Sequence, residues 1–177
     1  MKMYTIVRVL AKFDRVLAKG EAAALILLLS LMIIAVFLQV FFRYALGRPL
    51  SWSEEMARYL FVWMSVLGAA LGIHKGGHFG LDLLHRLLSE TGKRSLRIVT
   101  AMLTAVVVLV ILSQGILLVD KTRFQESPAM LIPMAWAYAA LPVGAVFMAV
   151  HLLAAMLKET WFEGKKGKGE KIPEPGL

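Results

Sequence analysis

The sequence predicts an all-α integral membrane protein with four transmembrane helices. Of the 177 residues, 59% are hydrophobic, a larger share than soluble domains contain. These residues are concentrated in four windows, and a helix of about 20 apolar residues is long enough to cross a bilayer. The windows predict helices at about residues 22–43, 51–74, 96–119 and 129–157.

The same pattern predicts a single membrane domain over residues 1–177. Its expected parts are a basic amphipathic segment, a four-helix transmembrane region and a basic tail, at residues 1–20, 21–158 and 159–177. The first window is longer than the core of a signal peptide, so we expect it to persist in the mature chain. The tail is rich in Gly, Lys and Pro and has little to bury, which predicts disorder.

The basic amphipathic segment has two structural interpretations. Residues 3–17 place apolar side chains at helical spacing and basic side chains largely on the opposite face. In the first interpretation, these residues form an amphipathic helix that lies in the interface of an anionic inner leaflet. In the second, which fits the pattern equally well, they form a cytoplasmic extension of the first transmembrane helix. A second short interfacial helix is expected before Gly92, between the second and third windows.

The distribution of Lys and Arg predicts the orientation in the membrane. Fifteen of the 20 basic residues lie in three segments, at residues 1–21, 74–97 and 158–177. Cytoplasmic segments carry such an excess, so both termini are expected in the cytoplasm. Because the net charge of +8 is dispersed over three segments, we expect no nucleic acid as a partner.

The second predicted helix begins with an unusual group of charges. Ser51 and Glu54 fit a capping box, in which Ser51 is the N-cap residue. Because the apolar run that follows covers only roughly 22 Å at 1.5 Å per residue, a full crossing draws the charges to the outer membrane boundary. Charges there are costly unless they are paired. We therefore predict a structural ion cluster at the outer face, formed by Arg43, Glu54, Glu55 and Arg58.

Two faces of this helix predict contacts. Small residues continue the charged face, and two of the glycines form a GxxxG motif that lets another helix approach closely. This predicted helix-packing face, which contacts either the same subunit or a partner, comprises Ser65, Gly68, Ala69 and Gly72. The other face carries candidate partner-contact aromatics, which also fit an interfacial aromatic belt: Trp52, Tyr59 and Trp63.

Two prolines mark the fourth predicted helix. Pro133 is expected in its first turns, where a missing N–H group matters least. Pro142 is expected near the middle of the span, where it predicts a kink.

Residues 41–84 carry a series of motifs in a fixed order. They are Arg43, W-S-E-E at residues 52–55, the run from Arg58 to Trp63, Gly68, and a loop motif of Gly77, His78 and Asp82. In this order, the segment resembles the small membrane subunit of TRAP (tripartite ATP-independent periplasmic) transporters, the DctQ-like family.

This resemblance implies a function in secondary active transport. In the family, a periplasmic binding protein (DctP-like) delivers an organic acid, often a carboxylate, to a large membrane subunit (DctM-like). A sodium or proton gradient drives the symport across the cytoplasmic (inner) membrane of a bacterium or archaeon. The small permease subunit is implied to brace the large subunit in the lipid bilayer and to help the binding protein dock.

Two other functions are open at the level of the residues. His74 and His151 fall at similar predicted depth, as a haem-binding membrane protein requires. An autonomous four-helix channel is the second alternative, although polar residues near mid-span are few: Ser30, Ser65, Thr104, Ser113 and Gln114. Because the chain has no Cys and no catalytic triad or phosphate-loop pattern, we expect no enzyme, no catalytic residue, no cofactor and no metal.

Overall fold

The computed structural model describes residues 2–76 and 90–166, and this part of the chain is helical apart from its connecting segments. The helices are α1 (Lys2–Ala45), α2 (Ser51–His74), α3 (Glu90–Thr122), α4 (Ala135–Tyr138) and α5 (Ala140–Lys166). Four stretches are long and apolar enough to span a membrane: Val7–Ala45, Ser51–His74, Ser95–Thr122 and Ala135–Lys158. The predicted all-α fold with four spans is confirmed.

The basic N-terminal segment is continuous with the first span. From Lys2 to Ala45, α1 has no break and is about 66 Å long at 1.5 Å per residue. Of the two alternatives for residues 3–17, the structure therefore has the helical extension. Two carboxylates, Asp14 and Glu21, are buried on this helix, so the extension packs against the other helices.

Helix α5 lies at the centre of the bundle and packs against α1, α2 and α3. The core is built around Ala70, Val108, Ala145 and Met148. Close approach depends on two glycines: Gly144 faces Val66 of α2, and Gly115 of α3 faces Pro142. Small residues of this kind drive helix association in lipid, because apolar side chains gain little by leaving an apolar solvent.

Most large apolar side chains of α1 and α3 point away from this core. Phe37 and Leu103, for example, are each 65% exposed. Since both helices carry apolar residues on nearly every face, their outer surfaces suit lipid or another membrane protein.

The predicted helix-packing face of α2 does not pack within the described subunit. Ser65 and Ala69 are exposed, and a Cβ atom at Gly68 or Gly72 would have no heavy-atom neighbour within 4 Å. The residues that α2 buries lie on a different face: Ser53, Glu55, Leu67, Ala70 and Leu71. Among the described residues, nothing of this subunit packs on this face, and contact with a partner stays a prediction.

The last span starts later than expected, and this changes the position of both prolines. Pro133 belongs to the connection before α4, where it forms an isolated antiparallel bridge with Glu126. The helix is interrupted at Ala139, so Pro142 lies in the first turn of α5 and not in the middle of the span. A proline has no N–H group and its ring clashes with the carbonyl four residues earlier, here Tyr138, which ends α4.

At its C-terminal end, α5 continues to Lys166, past the predicted end at residue 157. The first residues of the predicted disordered tail are thus helical. The remainder of the tail and the short interfacial helix expected before Gly92 fall largely outside the described residues.

Replacing Gly115 by alanine should destabilise the bundle. A Cβ atom at this position would lie 2.9 Å from Cδ of Pro142 and 3.0 Å from its backbone nitrogen. A proline ring and a backbone atom cannot rotate away, so we expect a loss of about 1–3 kcal/mol in unfolding free energy. The melting temperature of the purified chain in detergent measures this loss.

Gly20→Ala is the matched control, because a Cβ at Gly20 meets no atom within 4 Å. It should leave the melting temperature unchanged or raise it slightly, since alanine favours a helix over glycine. Equal melting temperatures for both variants would contradict the close packing of α3 on α5.

Candidate functional site

At the end of the bundle where α2 begins, the buried carboxylate of Glu55 holds a loop. Its Oε2 atom accepts the backbone N–H groups of Ala129 and Met130 at 2.9 Å and 3.0 Å. Its Oε1 atom accepts the hydroxyl of Tyr59, one turn along α2. Hydrogen bonds to an ionised acceptor are about twice as strong as neutral ones, so Glu55 anchors the α3–α4 loop (residues 123–134).

The α3–α4 loop also has internal hydrogen bonds. The N–H groups of Ser127 and Leu131 bond to the carbonyls of Ile132 and Ser127 at 2.9 Å and 3.1 Å. Met134 closes the loop by donating to the carbonyl of Gln125 at 2.8 Å. Leu131 adopts a positive φ of 53°, which is uncommon for a leucine, and its side chain is 69% exposed. The loop is thus an ordered surface with an exposed apolar residue.

The four residues of the predicted ion cluster do not form one group. Glu54 pairs with Arg58 at 3.1 Å, and about two thirds of each side chain is exposed. Glu55 turns toward the α3–α4 loop, because consecutive residues of a helix point about 100° apart. Arg43 stacks over the Tyr44 ring and has no ion pair within the described part of the chain.

The predicted capping box is wrong. The N-cap residue of α2 is Leu50, in an extended conformation with φ −84° and ψ 107°, and no side chain caps the helix. Ser53 is buried and donates its hydroxyl to the carbonyl of Leu50 at 2.8 Å. Glu54 reaches forward to Arg58, so it does not return to the helix start.

Two of the three candidate partner-contact aromatics have bonds inside the subunit. Tyr59 donates its hydroxyl to Glu55, and the indole Nε1 of Trp63 donates to the carbonyl of Trp136 at 3.1 Å. Trp52 lies in the first turn of α2, and its side chain is exposed. The predicted loop motif of Gly77, His78 and Asp82 lies outside the described residues.

At the other end of the bundle, helices α1, α2 and α5 bring together five ionisable side chains, here called the histidine cluster. Its members are Asp14, Glu21, His74, His151 and Lys158. Nδ1 of His151 lies 2.7 Å from Oδ1 of Asp14. Nε2 of the same ring lies 3.1 Å and 3.0 Å from the two carboxylate oxygens of Glu21. Nζ of Lys158 donates to Oδ2 of Asp14 at 2.8 Å.

The centre of the histidine cluster is closed to solvent. Asp14 and Glu21 are each 2% exposed and His151 is 1% exposed. Ionised carboxylates only accept hydrogen bonds, so a metal-free cluster needs either an imidazolium at His151 or a protonated carboxyl group. With His151 as an imidazolium, its charge and that of Lys158 balance the two carboxylates. Paired and hydrogen-bonded in this way, the charges can remain buried.

His74 and His151 do face each other, with ring centroids 5.0 Å apart. The carboxylate of Asp14 lies against Nδ1 of both rings, at 3.1 Å and 2.7 Å. Because this side chain fills the position between the two nitrogens, a haem does not fit between the rings. The donor atoms of Asp14, His74 and His151 lie within 4.8 Å of one another, the spacing of a group that can hold a metal ion.

The sequence interpretation missed Asp14, Glu21 and Lys158 as site residues. A usable signal was present, since Leu10, Asp14, Leu17 and Glu21 follow one another at helical spacing. Two carboxylates on a stripe that also carries leucines indicate buried partners. The partners themselves lie on α2 and α5, far away in the sequence.

Comparison with known proteins identifies the chain's relatives. A family model described as the DctQ component of tripartite ATP-independent periplasmic transporters matches residues 32–161. A putative TRAP transporter small permease protein of Haemophilus influenzae is 27% identical over 135 residues, 76% of this chain and 84% of the relative. The sialic acid TRAP transporter small permease protein SiaQ of Vibrio cholerae is 31% identical, over 65% of this chain and 66% of its own.

A third relative is much longer. The sialic acid TRAP transporter permease protein SiaT of Haemophilus influenzae is 30% identical over 117 residues, 66% of this chain but only 19% of the relative. A segment like this chain therefore also occurs as a small part of a larger permease.

The matched region contains Arg43, the whole of α2 and His151, and it covers the second, third and fourth spans and the last part of the first. Its relatives are transporter permease subunits and not enzymes. With four spans and this match over more than half its length, the chain belongs to the DctQ component family of tripartite ATP-independent periplasmic transporters, which are multi-pass inner-membrane proteins.

Proposed function

We propose that this chain is the small accessory permease subunit of a TRAP-type secondary transporter. It supports a large membrane subunit (DctM-like) in the ion-gradient-driven uptake of an organic acid that a periplasmic binding protein (DctP-like) delivers. The observation that carries the proposal is the family match over residues 32–161. The match covers 19% of the longer SiaT permease, which supports the view that a small and a large membrane subunit function together.

The interior of the bundle favours an accessory subunit over an autonomous channel. The buried polar residues in the described part of the chain lie near the levels at which α2 begins and ends: Asp14, Glu21, Ser53, Glu55, Thr122, Ser127 and His151. Between them the core is apolar, with Ala70, Val108, Ala145 and Met148. A translocation path needs polar or ionisable groups near the bilayer centre, and the described core offers none.

The orientation and substrate class are part of the proposal. The basic segments of the chain lie on the cytoplasmic side in this orientation. The histidine cluster then faces the cytoplasm, and the α3–α4 loop faces the binding protein. Two relatives are named for sialic acid, a carboxylate, which supports an organic acid as the substrate class. The lipid bilayer covers the outer apolar faces that the large subunit leaves free.

The small-residue face of α2 is the proposed contact with the large subunit. Gly68 and Gly72 lie one turn apart on α2, and a Cβ atom at either position would meet no heavy atom within 4 Å. The exposed Ser65 and Ala69 continue the same face. Close approach of a partner helix over such a face strengthens packing in lipid.

The double variant Gly68→Leu and Gly72→Leu should weaken association with the large subunit. Leucine side chains fill the space that a partner helix needs, yet they meet no atom of this subunit near either Cβ. We expect at least about a tenfold loss of co-purified large subunit, which corresponds to about 1.4 kcal/mol. Co-purification in mild detergent from cells expressing both subunits measures the loss.

Ser30→Leu is the matched control, because Ser30 is an exposed small residue on α1 whose hydroxyl bonds only to its own helix. Equal recovery of the large subunit with both variants would contradict the proposed contact face. Recovery of the wild-type chain alone, with no large membrane protein, would contradict the proposed function.

Removal of the Glu55 carboxylate should loosen the α3–α4 loop. Glu55→Ala leaves the N–H groups of Ala129 and Met130 without their acceptor, so the loop loses two charge-assisted hydrogen bonds. Glu54→Ala breaks only an exposed pair, worth at most about 1 kcal/mol. Amide hydrogen exchange at residues 129 and 130 should accelerate only in Glu55→Ala, and uptake should fall with it. Similar exchange in the two variants would show that Glu55 does not anchor the loop.

A further inference from the structure

The histidine cluster contains the donor set of a transition-metal site. Asp14 offers a carboxylate oxygen, and His74 and His151 each offer Nδ1, all within 4.8 Å of one another. A tetrahedral Zn²⁺ ion with bonds of about 2.0–2.1 Å holds its ligand atoms roughly 3.3 Å apart. Nδ1 of His74 lies 3.1 Å from one oxygen of Asp14, and Nδ1 of His151 lies 2.7 Å from the other, so both distances are close to that spacing.

Glu21 occupies the position of an orienting carboxylate behind one of these ligands. Nε2 of His151 faces both oxygens of Glu21, at 3.1 Å and 3.0 Å. When this nitrogen carries the proton, Nδ1 on the other side of the ring keeps its lone pair for a metal ion. Metal-bound histidines usually have such a carboxylate partner, which fixes the tautomer and the ring orientation.

An independent observation concerns His74. Its Nδ1 atom is buried and has no hydrogen bond, although it lies 3.1 Å from Oδ2 of Asp14. The contact satisfies the distance of a hydrogen bond but not its direction. A buried nitrogen this close to a carboxylate, with a second imidazole ring beside it, is suited to binding a cation.

Lys158 competes for the same carboxylate. Its ammonium group donates to Oδ2 of Asp14 at 2.8 Å and would repel a divalent ion. The side chain is 37% exposed, so its flexible stem can release the ammonium to water. The ion and the ammonium are thus alternative partners of Asp14.

We propose that Asp14, His74 and His151 bind a divalent first-row transition-metal ion of the Zn²⁺ type, with Glu21 as the orienting carboxylate and Lys158 as the competing cation. Two imidazole nitrogens and a carboxylate suit such ions and not Mg²⁺ or Ca²⁺, which require oxygen ligands. The ligands come from α1, α2 and α5, so the ion ties the N-terminal extension of α1 to the bundle. This proposal does not depend on the proposed transport function.

The test uses the full chain, purified in detergent without a histidine tag and stripped with a chelator. Zn²⁺ is titrated while the melting temperature is followed, and Co²⁺ serves as a spectroscopic probe of the coordination. We expect one bound Zn²⁺ per chain, a higher melting temperature with Zn²⁺, and no change with Mg²⁺. The Co²⁺ absorption bands should show nitrogen and oxygen ligands in a four- or five-coordinate site.

Three variants separate a metal site from a metal-free ion network. His74→Gln should abolish the Zn²⁺-dependent rise in melting temperature, because it removes one of the three ligands. Glu21→Gln should weaken Zn²⁺ binding about 10–100-fold. Lys158→Met should tighten it, since the competing ammonium is gone.

Asp120→Asn is the control for a carboxylate outside the cluster, since Asp120 pairs with Arg123 at 3.4 Å, and it should bind Zn²⁺ like the wild type. An unchanged melting temperature and no stoichiometric binding in the wild-type chain would overturn the proposal. So would a Lys158→Met chain that is less stable and binds Zn²⁺ no better, because the cluster would then be a closed network of ion pairs.

Discussion

An ionised carboxylate cannot remain inside an apolar bundle unless other groups replace its water, and this constraint organises both ends of the molecule. Glu55 meets it at one end with two backbone N–H groups and a tyrosine hydroxyl. Asp14 and Glu21 meet it at the other end with two imidazole nitrogens and an ammonium group. Each carboxylate takes hydrogen-bond partners from another helix or loop. These hydrogen bonds therefore also fix the positions of the helices relative to one another.

Between these ends, the bundle is held by close contact of small residues on α5. Gly144 and Ala145 meet α2 and the core, and Gly115 of α3 accepts the proline ring at the start of α5. Lipid offers apolar side chains as good a solvent as the protein interior, so shape and proximity decide which helix faces meet. This explains why large residues such as Phe37 and Leu103 remain outside while alanine and glycine lie inside.

The two ends suit different tasks in a transporter subunit. The α3–α4 loop is an ordered surface, with Leu131 exposed and the backbone fixed by Glu55. The histidine cluster is a largely buried contact among α1, α2 and α5, in which Asp14 contacts both histidines and Lys158. A subunit that braces a larger partner needs rigid ends of this kind, and it needs no polar path through its centre.

The sequence by itself determined the class of protein, the number of spans and the bounds of α2 at residues 51–74, because hydropathy and helix periodicity are local properties summed along the chain. It also carried the motif from Arg43 to Trp63 that identifies the family. It did not show that α1 is continuous from Lys2, since an amphipathic helix and an extended span have the same pattern. The sequence analysis wrongly placed Pro142 in the middle of the span. Apolar residues precede and follow Pro142, so hydropathy alone does not show that a helix starts there.

The partners of the buried charges were decided only by the tertiary structure. Glu55 reaches Ala129, 74 residues away, and Asp14 reaches His151, 137 residues away. The sequence analysis expected an ion cluster around Glu54, Glu55 and Arg58 because it could pair only charges that lie close together along the chain. Which partner a carboxylate finds depends on the rotation and relative height of packed helices, and no local pattern contains that information.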